Sequence, residues 1–314
     1  RILSFSPQGF KAILEMANVI LGGTMISERP IFSMGFTAHG PLRWTNLALE
    51  IFFTSAGHGI PLMINGEPTA GGTSPVTLAG ALTVGNAEIL GGIVLNQLVE
   101  PGRPCIHNLG FAHVMDMRTG VVLTGAPENC LLAGAGAQLA ASYNLPSASW
   151  ISTDSMTADA QSVAEKTMAA VTHAASGVGV IWGAGTLESE LSISFAQLVL
   201  DNEVIGQVKR VLRGIEVNDE TIAESLIAET GPCGNFLATE HTMEHFLGEV
   251  CESSFLCRER RDKWEEKGSL PLQEVAARRA EEILAEESGL GLDSSRLAEL
   301  EKIEKRFTGQ NTVS

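Results

Sequence analysis

The chain has 314 residues, 44% of them hydrophobic and 18% charged, enough for a sizeable folded core. Its 37 acidic and 21 basic side chains give a formal net charge of −16, which argues against nucleic acid or an anionic membrane surface as partner because both would repel it. The densest basic clusters, RERRDK at 258–263 and ARR at 277–279, are short, flanked by acids, and read as solvated helix faces.

Along the chain, helical patterns alternate with short apolar runs. A helix is expected over 5–22, then a strand at 31–36 (IFSMGF), a helix over 42–56, a strand at 61–65 (PLMIN) and a long small-residue helix over 76–99. A strand at 104–109 (PCIHNL), a helix over 127–142, a strand at 147–152 (SASWIS), a helix over 158–176, a strand at 178–183 (VGVIWG) and a helix over 194–213 follow. Thr73-Ser74-Pro75 and Ala126-Pro127-Glu128 supply helix-start signals. This alternation is the signature of βα units around a parallel sheet. The expected fold is an α/β (βα)8 TIM barrel lacking its N-terminal strands in this chain, which opens on Arg1 rather than Met; an open doubly wound sheet is the alternative.

After residue 214 the pattern is helical without strands, with segments expected at 219–228, 237–251, 271–288 and 293–307 and a frayed tail, TGQNTVS. The domain reading is a barrel portion at 1–214 and a C-terminal helical appendage at 215–314 packed on it. No run reads as a membrane span, and Pro7, Lys11 and Glu15 exclude a signal peptide at the start. Five cysteines without disulfide rhythm suit a reducing interior, so the expected compartment is the cytoplasm.

In a parallel barrel the site forms at the C-terminal ends of the strands. The residues there are Phe36-Thr37, Asn65-Gly66-Glu67, His107-Asn108, Thr153-Asp154, and Gly183-Ala184-Gly185 with Glu188 and Glu190. Several carboxylates converge and no Lys or Arg occupies these positions, Arg43 being the nearest in sequence. The glycine-rich loop INGEPTAGGTSP at 64–75 has no lysine, which removes a P-loop reading; GAGAQL at 134–139 lies inside a helix, which removes a dinucleotide fingerprint. Asn65-Gly66 and Thr153-Asp154 also fit simple turn and capping roles, and Trp150 and Trp182 fit core packing. Glu67, a carboxylate before proline in a glycine loop, has no helix or sheet task of its own. HTMEH at 241–245 matches the H-x-x-E-H pattern and keeps open a zinc hydrolase with His241 and His245 as ligands and Glu244 as base, although a third ligand is not evident.

The run GGTSPVTLAGALTVGNAEILGGIVLNQLVEPGRP at 71–104 resembles the trimethylamine methyltransferase family, as do STDSMTADAQSVAEKTM at 152–168, GAGTLESELSISFAQLVLDNEVIG at 183–206 and FLATEHTMEHF at 236–246. The resemblance is collinear from about residue 5 to 280. It implies a (βα)8 barrel with additional N-terminal sequence, and methyl transfer from a methylated amine to the cobalt of a separate corrinoid protein. No pyrrolysine stands in these letters, so the chain resembles the branch without it, some of whose members demethylate quaternary amines such as glycine betaine. On this reading the chain binds no cofactor itself; the corrinoid is supplied by the partner protein, and a homo-oligomer is expected. The residue chemistry fits: a quaternary ammonium needs no general acid to leave, only desolvation, in-line positioning and containment of its charge by carboxylates and aromatic faces. Candidate substrate-binding residues are Phe36 and Trp182 as aromatic wall, Glu67, Asp154 and Glu190 as charge, and His107 and Asn108 for a polar group; none is assigned as acid or base. A non-catalytic binder of quaternary ammonium compounds is a further alternative.

Overall fold

The computed structural model describes residues 2–253, 256–286 and 291–311. Its first half runs α1 (Pro7–Leu21), β1 (Met34–Thr37), α2 (Asn46–Ser55), β2 (Leu62–Asn65), β3 (Thr69–Ala70), α3 (Leu78–Val99), β4 (Cys105–Asn108), β5 (His113–Asp116) and β6 (Val121–Leu123). It continues through α4 (Pro127–Ser142), β7 (Ser147–Trp150), α5 (Ala160–Ala175), β8 (Val180–Trp182), β9 (Thr186–Leu187), β10 (Ser192–Ile193) and α6 (Phe195–Arg213).

β1, β2, β4, β7 and β8 form one parallel sheet in that order. Strand order follows chain order without reversal, so the described residues hold no switch point of a doubly wound sheet. Nor do the described residues close a barrel: β1 and β8 are the two edges, and Ile2 makes an isolated parallel bridge to Met34. Helices α3 to α6 pack in sequence, α3 against α4, α4 against α5 and α5 against α6.

Strand periodicity decides which side chains can reach a site, because neighbours in register point to the same face. Phe36, Ile64 and His107 are in register, as are Thr37, Asn65 and Asn108 one residue on. Phe36 stacks on Phe52 of α2 at 4.7 Å, so the first row faces the helices; the second row faces away from them. By the same alternation Ser149, which meets His173 of α5, faces the helices, and Trp150 and Trp182 face away.

α3 is long and apolar enough to cross a membrane by length and composition, contrary to the sequence expectation. It packs on β2 and α4 through one buried row that includes Gly85, Glu88, Gly92 and Asn96, the pattern of a helix that covers one face of the sheet. Glycine permits the approach: a Cβ on Gly66 would stand 2.6 Å from the Gly85 carbonyl oxygen, and one on Gly92 would stand 2.6 Å from Ile64. The small residues of the 64–98 stretch are thus a packing device between helix and sheet.

Element boundaries otherwise depart locally. α2 begins at Asn46, capped by Thr45, because residues 38–45 form a turn with Leu42 at φ 55. Thr73-Ser74-Pro75 does not start α3; Thr73 Oγ1 instead accepts from Thr69 N at 2.9 Å, and the cap position is Thr77. Pro127 does open α4. The three-stranded flap β3-β5-β6, built from the segments that follow β2 and β4, was not expected because its strands are two to four residues long.

Beyond α6 come α7 (Asp219–Ile222), α8 (Glu224–Thr230), α9 (Glu240–Glu249), α10 (Arg261–Glu266), α11 (Leu272–Ala285) and α12 (Ser294–Asn311). The segment expected at 219–228 is split by Ala223 at φ 53. α11 packs on α6 through the buried Ala276 and Ala280, and α12 packs on α1. Thr308 to Asn311 continue α12, and the rest of the tail expected to fray lies outside the described residues.

Gly66→Ala is expected to lower stability by about 1–3 kcal/mol, since backbone rather than a movable side chain opposes the added methyl. Urea denaturation of both proteins checks this; an unchanged midpoint contradicts the close-packing account.

Candidate functional site

The helix-averted face of the sheet carries a polar row at its C-terminal end. Asn108 Oδ1 accepts from Gly110 N at 3.0 Å, Asn108 Nδ2 donates to Asn65 Oδ1 at 2.8 Å, and Asn65 Nδ2 donates to Thr37 Oγ1 at 2.7 Å. Both asparagines are fully buried, where an unmatched amide would cost on the order of 1–3 kcal/mol, so the row fixes the mutual register of three strand ends.

Beside it lies an aromatic cluster. Trp150 and Trp182 are 5.0 Å apart by ring centroids, and Phe111 from the loop after β4 approaches them at 4.5 and 5.1 Å. His113 packs on Trp150 at 5.8 Å. Burial pushes the His113 imidazole down to about 4, against the opposing pull of the Asp154 charge, so it is neutral near pH 7.

Carboxylates tie the surrounding loops together. Asp154 accepts from Thr124 N (2.8 Å), Thr124 Oγ1 (2.9 Å), Gly125 N (3.1 Å) and Ser189 Oγ (2.8 Å), which joins the loops after β4, β7 and β8. Glu165 of α5 accepts from Thr153 Oγ1 and from Asp154 N. Glu88 of α3, buried, accepts from Leu42 N at 2.9 Å and Glu67 N at 3.2 Å and so holds the loops after β1 and β2. Charge-assisted bonds of this kind are stronger than neutral ones.

The loop after β8 is supported from beneath. Lys166 of α5 is fully buried, donates to Asp201 Oδ2 at 2.7 Å and to Gly183 O at 3.1 Å, and Asp201 Oδ2 accepts from Gly185 N at 2.7 Å. Burial lowers the Lys166 pKa, offset in part by Asp201. Above this support Glu188, Ser189 and Glu190 have φ of 54°, 50° and 74°, three successive left-handed non-glycine residues. Such conformations persist only where the surroundings over-determine them, and they cluster at functional loops.

The expected site residues separate into two groups. Asn108 and Trp182 lie on the helix-averted face, and Asp154, Glu190 and Glu67 lie on the loops at the same end of the sheet. Phe36 and His107 point the other way. Phe36 is 2% exposed between Trp44 and Phe52, and His107 is fully buried, with Nε2 3.1 Å from Asn86 Oδ1 and Tyr143 nearby. Leu109, of the same parity as His107 in PCIHNL, lies in the core beneath the helices as well. Thr37, Asn65, Phe111 and Trp150 belong with the first group. Glu88, Glu165 and Lys166 carried no local signal, since each acts on a loop distant in sequence.

For the zinc reading, His241 and His245 face each other at 4.3 Å, and His245 Nε2 lies 3.4 Å from Glu220. Among the described residues no group of three or more His, Cys, Asp or Glu side chains could hold a metal ion.

Residues 2–309 match the family model described as trimethylamine methyltransferase. Similar proteins include trimethylamine methyltransferase MttB of Desulfitobacterium hafniense, 36% identical over 88% of this chain and 56% of its own length. The protein of the same name from Methanosarcina barkeri is 35% identical over 90% and 58%, and a glycine betaine methyltransferase of Desulfitobacterium hafniense 33% over 87% and 57%. The chain thus spans little more than half the length of the curated relatives it matches. A crystal structure of the Methanosarcina barkeri monomethylamine methyltransferase aligns over 84% of this chain and 54% of that one, with a TM-score of 0.47 and 16% identity.

His107, His113 and His173 each have a pKa lowered to about 4 by burial, from 6.5 when unfolded. Below pH 6.5 the unfolded chain therefore binds more protons, so stability present above that pH is lost progressively toward pH 4. Urea midpoints should already fall between pH 6.5 and 5, where most carboxylates remain ionised. A flat profile there contradicts the burial of three neutral imidazoles.

Proposed function

Because the chain belongs to the trimethylamine methyltransferase family, a family of methyltransferases, we propose that it moves a methyl group from a methylated amine to the corrinoid of a separate protein. The observation that carries this is the family match across residues 2–309 together with relatives at about 35% identity that are named for trimethylamine and for glycine betaine. The compartment we infer is the cytoplasm, a reading supported by five cysteines that are all free.

The finer fold reading is a (βα)8 barrel to which these five strands contribute. Unreversed strand order, successive helix packing and the parallel bridge from Ile2 to the outer edge of β1 support it. In such a barrel the helix-averted face is the interior, and the polar row and aromatic cluster stand at the C-terminal mouth.

The substrate class favoured is a quaternary ammonium. Trp182, half-buried and packed on Trp150 and Phe111, belongs to an aromatic cluster of the kind that holds a fixed cation. Asp154 and Glu190 contribute negative potential at the same end of the sheet. The partner's corrinoid supplies a cobalt nucleophile that takes the methyl group. What this chain contributes is desolvation and in-line positioning; the substrate's amine departs without needing a proton, which agrees with His113 being neutral. The potential must hold the cation without over-stabilising it, because its charge vanishes as the methyl leaves.

Full-length protein incubated with its reduced corrinoid protein and a panel of methylated amines should release the demethylated amine, read by mass spectrometry. No demethylation of any panel member contradicts the enzyme reading. Trp182→Leu should raise KM for a quaternary amine roughly tenfold with a smaller effect on kcat; a fall in kcat alone would instead place Trp182 in the transition state.

A further inference from the structure

A small cavity of about 10 Å³ lies where β7, α4 and α5 meet, and its lining includes Gly110, Thr124, Asn129, Cys130, Trp150 and His173. Two side-chain atoms of these lining residues, Asn129 Oδ1 and His173 Nε2, are buried without a hydrogen-bond partner among the described residues. Asn129 is 8% exposed and His173 2%. The other polar atom of each is engaged: Asn129 Nδ2 donates to Leu123 O at 2.9 Å, and His173 Nδ1 lies 2.9 Å from Ser149 Oγ. Buried polar atoms are rarely left unmatched, so two at one cavity point to a common partner.

Counting protons identifies that partner. The Leu123 carbonyl can only accept, which makes the free Asn129 atom an oxygen and an acceptor. Burial lowers the His173 pKa to about 4, so near pH 7 the ring is neutral and carries one N–H. On Nδ1 that proton would go to Ser149 Oγ, and the fully buried Ser149 hydroxyl would then have no acceptor of its own among the described residues. On Nε2 it leaves Nδ1 to accept from Ser149, and no protein proton but Nε2–H is unmatched. One donor and one acceptor thus remain at the cavity, and they are not bonded to each other. A bare cation would be repelled by the N–H and a bare anion by the carbonyl oxygen. A neutral molecule that accepts and donates satisfies both, and the volume is about what a single water needs.

We propose that one internal water bridges His173 Nε2–H and Asn129 Oδ1. The site is independent of the methyl-transfer reading. Asn129 in the first turn of α4 also holds Leu123 at the end of β6, and Ser149 precedes Trp150 on β7. The water therefore ties α5 and β7 to α4 and the flap, beside the strand end that carries Trp150 of the aromatic cluster.

Full-length protein is crystallised to about 1.2 Å, and its histidine ring nitrogens are followed by 15N NMR near pH 7. One ordered water should stand about 2.7–3.2 Å from both atoms, and His173 should be the Nε2–H tautomer. Asn129→Leu should lose the water. A dry cavity, a direct bond between His173 and Asn129, or the Nδ1–H tautomer overturns the proposal, as does a water that persists unchanged in Asn129→Leu. The wild-type crystal and spectra decide the matter should that variant fail to fold.

Discussion

The row of hydrogen bonds through Asn108, Asn65 and Thr37 is the constraint on which the rest of the site depends. Two fully buried amides leave little tolerance for strand slippage, because a shift of one residue would bury unmatched polar groups and turn Phe36, Ile64 and His107 onto the wrong face. With that register set, the helix-facing row packs against α2 and α3, and the averted row presents amides and, farther along, indoles. The same alternation therefore separates the core from the face that holds the candidate site.

A second device recurs around the sheet. Glu88, Asp154, Glu165 and Asp201 each accept backbone N–H groups from loops at its C-terminal end, and at the opposite end Glu100 accepts from Gly57 and Gly59, which precede β2. Part of the acidic excess thus serves as loop anchorage by charge-assisted bonds. Anchorage does not remove the charge: Asp154 still acts on His113 through space. One set of carboxylates can fix loop geometry and keep a negative potential where a cation would sit. Lys166, held under the loop after β8 by Asp201, also acts electrostatically on Glu190 and so offsets part of that potential.

The parallel strands and main helices were legible because apolar runs of four to six residues and helical spacing are local signals. The end of the sheet that carries the loops followed from fold-level reasoning, and so did Asp154, Glu190 and Asn108 as residues near it. Two aromatic and imidazole assignments went astray at Phe36 and His107 because strand ends were read as positions along the chain, without the parity that assigns alternate residues to opposite faces. Glu88 stayed hidden for a different reason: its partners Leu42 and Glu67 lie 46 and 21 residues away, and nothing in a small-residue helix announces a bond of that range. The flap β3-β5-β6 was hidden because strands so short have no period to read.

The most direct test of the central claim, that the helix-averted face at the C-terminal end of the sheet holds a methylated ammonium, is a crystal structure of the full-length protein soaked with tetramethylammonium. The account predicts the cation within about 6 Å of the Trp182 ring, on the face that carries Asn65 and Asn108. A cation bound only on the helix side of the sheet, or only at the His241–His245 pair, would contradict it.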